Sequence, residues 1–418
     1  GLSLAAMTGE ILFLAHRVPF PPNRGDKIRS HHVLRHLATL APVHVACFAD
    51  DEADLAESGE LAALAASHCL VKRSKPLALA GIEAVLTGKP ISLTAFHDRR
   101  ISAYVKQVLA QRDIAAIYVF SGQMGHYVPA DFAGRVICDL VDVDSAKFEA
   151  YGRSGKGPMR WVNAREGRLL AAEEARLVGR SSKTLLISAE EAALLRARLS
   201  PELACGGAVD VLRNGIDSDY FDPAMVCPEP RLLDFPGPRL IFTGQMDYPP
   251  NVAAATRVIE RILPAIRKRF PEASFHIVGR SPPESLAERS GGNGVHVWGG
   301  VDDMRCWLAG ADLALVPLEI ARGVQNKVLE AMAMRLAVVL TPGAATGIGA
   351  QDAAYFAVGE SDAELAERCV ALLCDSTWAG DLGHAARRFV VDRLSWPAVL
   401  APLAGLIGFP EPAARHVA

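Results

Sequence analysis

The chain has 418 residues, of which 50% are hydrophobic and 22% are charged, and its formal net charge is −3 at pH 7. This composition is typical of a globular protein, and the length favours two domains. The nearly neutral charge argues against nucleic acid as a main partner, because nucleic-acid-binding proteins carry a basic surface. No apolar run reaches the roughly 18 residues that a membrane-spanning helix needs.

The eight cysteines are scattered along the sequence, and none forms a C-x-x-C pair. Most of them lie in apolar segments, which predicts buried and reduced thiols rather than disulfides or a zinc site. This cysteine pattern predicts a cytoplasmic location.

The first half of the sequence alternates predicted strands with predicted helices. A buried strand at residues 11–15 leads into a loop with three prolines and a glycine, which precedes a helix at about 27–40. Further strands are predicted at 43–49, 70–72, 115–120, 136–143, 184–188 and 209–212, and a helix at 53–66. Such alternation predicts a parallel, doubly wound sheet, which binds ligands beyond the carboxyl ends of its strands. Arg24 and Gly25 lie in the loop after the first strand and are candidate binding residues.

A basic cluster, Lys72-Arg-Ser-Lys75, precedes an apolar helical run at residues 76–86. A basic cluster beside a moderately apolar helix can rest on an anionic membrane, which would place the protein at the inner face of the plasma membrane as a peripheral protein. A solvated strand end followed by a core helix is the favoured interpretation. On a later amphipathic helix, Glu166, Glu173 and Glu174 are predicted to form a solvated face.

The alternation pauses near Asn214-Gly-Ile-Asp217, and a proline-rich connector at residues 222–238 follows as the predicted linker. A second alternation then begins at residues 239–244. Its strands are predicted at 274–278, 295–298, 313–316, 338–340 and 355–358, and its helices at 252–270 and 302–309. We therefore predict an α/β protein of two Rossmann-like, doubly wound domains that face a cleft.

The most informative stretch is Ala321-Arg-Gly-Val-Gln-Asn-Lys-Val-Leu-Glu-Ala-Met-Ala333. It follows an apolar run at residues 311–317 that predicts a strand, and helical periodicity begins at about Val324. A strand, a glycine-containing turn and a helix leave the first-turn amides free to bind an anion. Arg322 and Lys327 add positive charge, so this helix start suits a diphosphate.

A carboxylate follows on the same predicted helix. Glu330 lies three residues after Lys327 and four after Asn326, so the three candidate binding residues can share one helix face. One turn beyond the phosphate-binding amides, Glu330 is well placed to accept a hydrogen bond from a sugar hydroxyl such as that of a ribose. A glycine turn followed by an exposed Lys–Glu pair explains the same residues equally well.

Four segments, taken in order, resemble the retaining nucleotide-sugar glycosyltransferases of family 4, which have the GT-B fold of two Rossmann-like domains. The segments are the loop at 19–25, Asn214-Gly-Ile-Asp217, Ile277-Val-Gly279 and Lys327-Val-Leu-Glu-Ala-Met-Ala333. More narrowly, residues 139–145, 243–251 and 320–327 look like those of a bacterial subgroup of sugar transferases associated with exopolysaccharide and exosortase (PEP-CTERM) gene clusters. The resemblance covers nearly the whole chain.

This resemblance implies transfer of a sugar from a nucleotide-diphosphate donor to a lipid-linked or polysaccharide acceptor, with retention and without a cofactor or an obligatory metal. The first domain, residues 1–217, would face the acceptor, and the second, 218–392, would bind the nucleotide sugar. A C-terminal helix at about 393–418 would pack back on the first domain. Arg322, Lys327 and the amides of Gly323 and Val324 would take the diphosphate, with Glu330 on the ribose. Arg322 and Lys327 are thus candidate catalytic residues.

The sequence departs from the family pattern at two places. The family usually carries a second glutamate eight positions before the one that matches Glu330, and here that position is Arg322. The usual arginine and lysine after the first strand of the second domain are also absent, since Gln245 stands at the arginine position and Asn251 follows. Positive charge is therefore expected from Arg322, Lys327 and Arg280, and the donor sugar is left unassigned.

In the first half, Ser121 and Gly122 occupy the loop where the family often has a histidine, and both are candidate binding residues. His126, slightly further on, is expected to be a packing or helix-surface residue. Asp142 and Asp144 end a predicted strand and share a face as alternate residues. They are candidate catalytic residues, able to bind acceptor hydroxyls or assist proton transfer. Capping of the following helix is an equally good interpretation of the two aspartates.

Two other functions stay open from the sequence. One is a nucleotide-sugar epimerase on the same double-Rossmann plan. The other is a glycosyltransferase-like binding subunit that has lost catalysis, an alternative that Arg322 at the usual glutamate position keeps open.

Overall fold

The computed structural model describes residues 8–350 and 352–411. These residues form two compact units, one of residues 8–214 with 399–411 and one of the described residues between 215 and 398. Each unit is built around one sheet of parallel strands that alternate with helices along the chain. The predicted α/β class with two Rossmann-like sheets is confirmed.

The first unit contains seven strands. They are β1 (Glu10–Ala15), β2 (Val43–Ala49), β3 (Ser67–Lys72), β4 (Ile114–Phe120), β5 (Arg135–Val141), β6 (Lys183–Leu186) and β7 (Val209–Val211). They lie in the order β3-β2-β1-β4-β5-β6-β7, with neighbouring strands parallel. Strands β2 and β4 are fully buried and, apart from His44 on β2, apolar, because helices cover both faces of the sheet.

The helices of the first unit connect these strands. They are α1 (Gly25–Leu40), α2 (Glu52–Leu55), α3 (Ser58–Leu64), α4 (Leu77–Thr87), α5 (Ile91–Thr94), α6 (Arg99–Gln111), α7 (Asp144–Ser154), α8 (Pro158–Arg180), α9 (Ala189–Arg198) and α10 (Pro201–Cys205). A 3-10 helix covers Gly122–Tyr127. The single helix predicted at 53–66 is in fact two helices, because the chain turns at residues 56 and 57.

A buried charged network ties α1 to the end of the first unit. The Arg29 guanidinium donates two hydrogen bonds of 3.0 Å to Asp139 on β5, and Tyr118 Oη donates to the same carboxylate at 2.7 Å. Arg29 also donates to the carbonyl of Leu212 at 2.7 Å and to Oδ1 of Asn214 at 2.9 Å. Arg29 and Asp139 are almost completely buried, so every polar contact of the pair is made inside the protein.

The second unit contains six strands. They are β8 (Arg239–Thr243), β9 (Ser274–Val278), β10 (Val295–Gly299), β11 (Leu313–Val316), β12 (Val338–Leu340) and β13 (Ala357–Val358). They lie in the order β10-β9-β8-β11-β12-β13, again with parallel neighbours. The predicted strands of this half are therefore present: β9, β11 and β12 have the predicted bounds, β10 is one residue longer, and β8 and β13 are one and two residues shorter.

The helices of the second unit pack on both faces of its sheet. They are α11 (Pro230–Leu233), α12 (Pro249–Arg257), α13 (Leu263–Arg269), α14 (Glu284–Ala287), α15 (Met304–Gly310), α16 (Asn326–Ala333), α17 (Pro342–Ala345), α18 (Asp362–Cys374) and α19 (Ser376–Arg393). A 3-10 helix covers Pro223–Met225. The helix predicted at 252–270 is interrupted by a π-helical turn, Val258–Ile262, just before Pro264, which has no amide hydrogen to donate.

The two ends of the second unit pair with each other. The Ile216 amide donates to the carbonyl of Leu394 at 2.8 Å, and the Trp396 amide donates to the carbonyl of Ile216 at 3.2 Å. Gly215 allows this close approach, because a Cβ there would lie 2.6 Å from the Trp396 nitrogen. The proline-rich stretch proposed as a linker packs within the second unit, where Leu232 is completely buried.

The C-terminal segment contains two short helices instead of one long one. These are α20 (Trp396–Leu400) and α21 (Leu403–Ile407), with Pro402 between them. Residues 399–411 group with the first unit, where α21 contacts β5. Residues 412–418 of the predicted helix lie outside the described part of the chain.

Three predictions about burial are wrong. Helix α4 is not a core helix, because it buries only Ala80 and Ala84. On α8, Glu166 and Glu174 are buried instead of solvated, since Glu166 accepts from Ser92 Oγ at 2.9 Å and Glu174 from the amide of Ser145 at 3.1 Å. Among the cysteines, which are all free thiols, three are exposed: Cys205, Cys227 and Cys374.

Within the described residues, no helix combines the length and the apolar character required to cross a bilayer.

Candidate active site

A cavity of about 620 Å³ lies at the carboxyl ends of the strands of the second unit. It is bounded by the loops after β8, β9 and β10 and by the first turn of α16. Its lining residues are Tyr220, Phe221, Thr243, Gly244, Gln245, Tyr248, Asn251, Gly279, Arg280, Gly300, Val301, Asp302, Met304, Val324, Gln325, Asn326, Lys327 and Glu330. This is the edge at which a doubly wound sheet binds ligands.

Two glycines bring the backbone close together at the floor of the cavity. Gly279, after β9, has a φ of +156°, and a Cβ there would lie 1.5 Å from the carbonyl oxygen of Gly244. Gly244, after β8, has a φ of +139°, and a Cβ there would lie 2.7 Å from Lys327 Nζ. Glycine is therefore needed at both positions, and it keeps the space above β8 open for the lysine side chain.

Lys327 extends from the first turn of α16 across the end of β8. Its Nζ donates to Asn251 Oδ1 at 2.6 Å and lies 4.6 Å from the centre of the Phe242 ring. Asn251 is held in turn, since its Nδ2 donates to the carbonyl of Gln245 at 2.9 Å. No carboxylate forms an ion pair with Lys327 among the described residues, so the ammonium group is available to an anionic ligand.

Glu330 lies on the same face of α16, one turn after Lys327, and also lines the cavity. Burial raises the pKa of Glu330 to about 7, and the positive charge of Lys327 acts in the opposite direction. Burial lowers the pKa of Lys327 to about 8, and the negative charge of Glu330 acts against that change. The cavity thus holds an acid and a base whose pKa values lie within a unit or so of neutral pH.

Helix α16 begins at Asn326, so the predicted start at about Val324 is two residues too early. No side chain caps this helix start. Asn326 and Val324 line the cavity, whereas Arg322 and Gly323 lie in the exposed loop before it and are not among its lining residues. Gly323 has a φ of +72°, which favours glycine and turns the loop away from the strand direction.

The other binding residues predicted in this half also line the cavity. Gln245 contributes its exposed side chain, Asn251 is buried beside Lys327, and Arg280 is exposed at the end of β9. Arg280 is anchored through its backbone, because its carbonyl accepts from the Met246 amide at 2.8 Å.

The sequence analysis missed the aromatic residues of this site. Tyr220 and Phe221 reach the cavity from the stretch before the connector, and Tyr248 from the loop after β8. Tyr220 is held by Arg305, whose guanidinium lies 3.8 Å from the ring centre. The signal for Tyr220 and Phe221 was an aromatic pair that two residues separate from Asn214-Gly-Ile-Asp217, but only the fold shows that this stretch returns to the second sheet.

In the first unit, Arg24 and Gly25 lie at the start of α1, where Arg24 is exposed and Gly25 is the first helical residue. Arg24 Nε lies 3.2 Å from Asp26 Oδ1. Asp26 also accepts from Arg17 at 2.7 Å, and His16 Nε2 lies 3.6 Å from it. Contacts from His16 and Arg17 hold the pKa of Asp26 well below its usual range.

Ser121 and Gly122 follow β4 at the same edge of the first sheet. Ser121 is buried, with a φ of +79°, and its hydroxyl donates a short hydrogen bond to Gln123 Oε1. His126 lies in the 3-10 helix that follows. Burial lowers its pKa to about 3, which agrees with a packing role rather than with acid–base chemistry.

The prediction that Asp142 and Asp144 end a strand is wrong for both, because β5 ends at Val141 and Asp144 is the first residue of α7. Neither caps that helix with its side chain. Both instead face Lys147, whose Nζ lies 3.1 Å from Asp142 Oδ2 and 3.6 Å from Asp144 Oδ1. They form a part-exposed pair of carboxylates neutralised in part by one lysine.

In the portion of the chain that the structure describes, no group of three or more histidine, cysteine, aspartate or glutamate side chains is arranged to hold a metal ion. The charged residues that line the second-unit cavity are Lys327, Glu330, Arg280 and Asp302.

Residues 237–375 match the family model described as Glycosyl transferases group 1. A search of curated proteins finds no match. Among solved structures, the chain is similar to HepE of Anabaena in complex with UDP-glucose, with 15% identity and a TM-score of 0.56, covering 95% of this chain and 99% of that one.

Two further solved structures are similar over almost their whole length. Sucrose-phosphate synthase from Thermosynechococcus elongatus has 16% identity and a TM-score of 0.56, covering 96% of this chain and 98% of that one. WaaG, a glycosyltransferase involved in lipopolysaccharide biosynthesis, has 19% identity and a TM-score of 0.51, covering 95% and 99%. The expected GT-B fold is thereby confirmed.

Proposed function

We propose that this chain, a group 1 glycosyltransferase with the GT-B fold, moves a sugar from a nucleotide-diphosphate donor to a lipid-linked or polysaccharide acceptor, with retention at the anomeric carbon. A nucleotide-sugar donor is supported by HepE, which shares the fold and has been solved with UDP-glucose. The resemblance of residues 139–145, 243–251 and 320–327 to exopolysaccharide-associated transferases supports a role in synthesis of an exopolysaccharide or cell-envelope glycan.

The observation that carries the proposal is the position of Lys327 and Glu330 on one face of α16, both lining the same cavity. Three residues of helix separate them, which is about 4.5 Å along the axis. A cation beside an uncapped helix start, followed one turn later by a carboxylate, matches a diphosphate followed by a ribose.

The donor can be placed on these groups. Its diphosphate would lie against Lys327 and the first-turn amides of α16, and its ribose hydroxyls would donate to the Glu330 carboxylate. The exposed rings of Tyr220 and Tyr248 line the same cavity and offer faces on which a nucleobase can stack.

Arg322 would complete the phosphate site from the exposed loop before α16. It forms no ion pair among the described residues, so its guanidinium is free to approach a phosphate oxygen and bind it through two donors. A guanidinium cannot accept a hydrogen bond from a sugar hydroxyl, which makes the phosphate role more favourable than a sugar-binding role.

Catalysis in this arrangement depends on stabilising the charge that develops as the diphosphate leaves. Below pH 8, Lys327 remains largely protonated and offsets that charge inside a partly desolvated cavity, where electrostatic interactions are strong. In the first unit, Asp142 and Asp144 would accept hydrogen bonds from acceptor hydroxyls, with Lys147 limiting their mutual repulsion.

The test is incubation with a panel of labelled nucleotide sugars, with and without oligosaccharide acceptors. We expect release of the free nucleoside diphosphate, faster when an acceptor is present, and retention of anomeric configuration in the product by NMR. Lys327→Ala should abolish most of the release, whereas Lys268→Ala, an exposed lysine of the same unit, should not.

Other outcomes would replace the proposal. A changed sugar on an intact diphosphate would indicate an epimerase. Donor binding without release or sugar change, across the whole panel, would indicate a binding subunit that has lost catalysis.

A further inference from the structure

Helix α4 presents an apolar face to solvent. Its residues Leu77, Val85 and Leu86 are 73%, 72% and 80% exposed, and Leu79 and Ile82 are also exposed. Only its two buried alanines face the protein. Single exposed apolar residues are normal on a protein surface, but five on one helix of eleven residues form a patch that requires an explanation.

The turn between α7 and α8 presents a second exposed apolar group, here surrounded by positive charge. Trp161 is 81% exposed and Met159 is exposed beside it. Arg153, Lys156 and Arg160 are exposed as well, and the sequence from 150 to 165 contains no acidic residue. Glu149, the nearest carboxylate before the turn, is paired with Arg198 at 2.6 Å.

Hydrogen bonds join the two features into one surface. Arg165 Nη2 donates to the carbonyl of Ala84 at 2.9 Å and to that of Lys89 at 3.1 Å, at the C-terminal end of α4. Trp161 lies four residues before Arg165 on α8 and so shares its helix face. We call α4 together with residues 153–161 the docking face, and the hydrogen bonds of Arg165 connect its two parts.

The positive charge of this face does not come from the cluster that the sequence suggested. Lys72 pairs with Glu52 at 2.6 Å, and Lys75 pairs with Glu83 at 2.8 Å. Arg73 pairs with Asp50 at 3.2 Å. Those cations are already neutralised.

Within the described part of the chain, the arginines of the α7–α8 turn, unlike the cations of that cluster, are not paired with carboxylates. Arg153 and Arg160 border a groove of about 480 Å³ that also contains Trp161. Neither arginine forms an ion pair among the described residues, so both guanidinium groups are available to external phosphates.

We propose that the docking face binds the surface of a bilayer that contains anionic phospholipids. The exposed leucines and valine of α4 and the ring of Trp161 would enter the boundary between headgroups and acyl chains, while Arg153, Lys156 and Arg160 bind lipid phosphates. The one carboxylate of the face, Glu83, is paired with Lys75, so apolar side chains flanked by cations that are unpaired among the described residues suit such a surface better than a protein partner of mixed charge. The inference does not depend on sugar transfer, because no residue of the face is assigned to donor or acceptor binding.

The test is flotation of the full chain with vesicles of phosphatidylglycerol and phosphatidylcholine, compared with phosphatidylcholine alone. We expect binding to the anionic vesicles only, with a blue shift of tryptophan emission. Trp161 is the most exposed of the five tryptophans and should give most of that shift. Trp161→Phe should bind nearly as well but lose it.

Two sets of variants with matched controls separate the contributions of the face. Val85→Ser with Leu86→Ser should lower vesicle binding at least tenfold, whereas Met225→Ser, at an exposed apolar residue of the second unit, should leave it unchanged. Arg153→Gln with Arg160→Gln should also lower binding about tenfold, whereas Lys268→Gln should not. Circular dichroism would verify that each variant is folded.

Three results would overturn the proposal. One is the absence of flotation with anionic vesicles, and another is equal binding of the docking-face variants and the controls. The third is a concentration-dependent dimer that Val85→Ser with Leu86→Ser dissociates while no vesicle binding occurs, which would identify a second copy of the chain as the occupant.

Discussion

The charged residues at the carboxyl edges of the two sheets differ in whether they form ion pairs with one another. In the first unit the charges pair with one another, since Arg17 bridges Asp26 at 2.7 Å and Asp50 at 2.8 Å. In the second unit, Lys327 donates only to the neutral Asn251, and neither it nor Glu330 forms an ion pair among the described residues. The two sheets share a strand order, but the charged residues at their carboxyl edges are suited to different ligands.

This difference supports the proposal that the second unit binds the charged donor. A cation that already has a carboxylate partner gains little from a phosphate, because the new contact replaces an existing one. Lys327 and Glu330 are partly removed from water, and neither forms an ion pair among the described residues. The lowered pKa of Lys327 and the raised pKa of Glu330 reflect the free-energy cost of burying each charge. A donor that supplies a diphosphate and ribose hydroxyls would offset this cost of burial. The carboxyl edge of the first sheet is better suited to neutral sugar hydroxyls.

The largest expected effect concerns the most deeply paired charges of the first unit. Arg29→Met should lower the free energy of unfolding by about 3–5 kcal/mol, because it leaves Asp139 as a buried carboxylate without its cation. Urea denaturation would measure the loss. Arg100→Met, which breaks the exposed pair with Asp98, should change stability little. A loss of less than 1 kcal/mol in Arg29→Met would mean that internal pairing is not what supports this unit.

The unpaired lysine of the second unit should matter for binding rather than for folding. Lys327→Met should weaken nucleoside-diphosphate affinity by about 1–3 kcal/mol, the range for a lost charge-assisted hydrogen bond. Titration calorimetry would measure it, with Lys268→Met as the control in the same unit. Superimposable isotherms for wild type and Lys327→Met would remove this residue from the donor site.

Variants of Arg322 test whether the exposed loop before α16 contributes a positive charge to the diphosphate site. Arg322→Ala should lower turnover roughly tenfold, since one charge-assisted contact to the departing diphosphate is lost. Arg322→Lys keeps the charge but not the paired donors, so its loss should be smaller. Arg322→Glu should be inactive, because it places a negative charge against the diphosphate. Activity of Arg322→Glu with a neutral-sugar donor would instead make Arg322 a determinant of sugar specificity.

The pH dependence of donor affinity should follow from the two shifted groups. The pKa of Glu330 is raised to about 7, so its carboxylate form, which accepts from ribose hydroxyls, is gained as the pH rises through 7. The pKa of Lys327 is lowered to about 8, so its charge, which binds phosphate, is lost as the pH rises through 8. Affinity should therefore be highest between these values and fall severalfold on either side.

Glu330→Gln separates the two limbs of that profile. Calorimetry across pH 5.5–9.5 should show that the rise of affinity through pH 7 is lost. The fall should remain but begin at a lower pH, because the carboxylate that raises the pKa of Lys327 is gone. A profile of unchanged shape would show that Glu330 does not contact the donor.

The smallest expected change in stability is at the paired carboxylates of the first unit. Asp142→Asn removes a part-exposed contact with Lys147, so stability should change by no more than about 1 kcal/mol. If Asp142 accepts from acceptor hydroxyls, the KM for the acceptor should rise while that for the donor stays constant. An equal rise in both KM values would contradict the assignment.

The sequence by itself determined the double α/β architecture and the position of the most informative helix. Both depend on local patterns, namely short apolar strands that alternate with helical segments, and a glycine turn followed by Lys327 and Glu330 at helical spacing. Such patterns constrain each element separately, so every strand except β3, which begins three residues earlier than predicted, lies within one or two residues of its predicted position. The GT-B fold followed from the resemblance, which rests on the order of four such local motifs.

Tertiary structure decided the charge and exposure of individual residues. The basic cluster at Lys72 is neutralised by carboxylates brought near in space, and α4 turns its apolar side to solvent although its composition suits a core. Tyr220 reaches the second-unit cavity because the chain after Gly215 returns to the second sheet. Burial and ion pairing depend on neighbours distant in sequence, and only the packed chain brings those neighbours together.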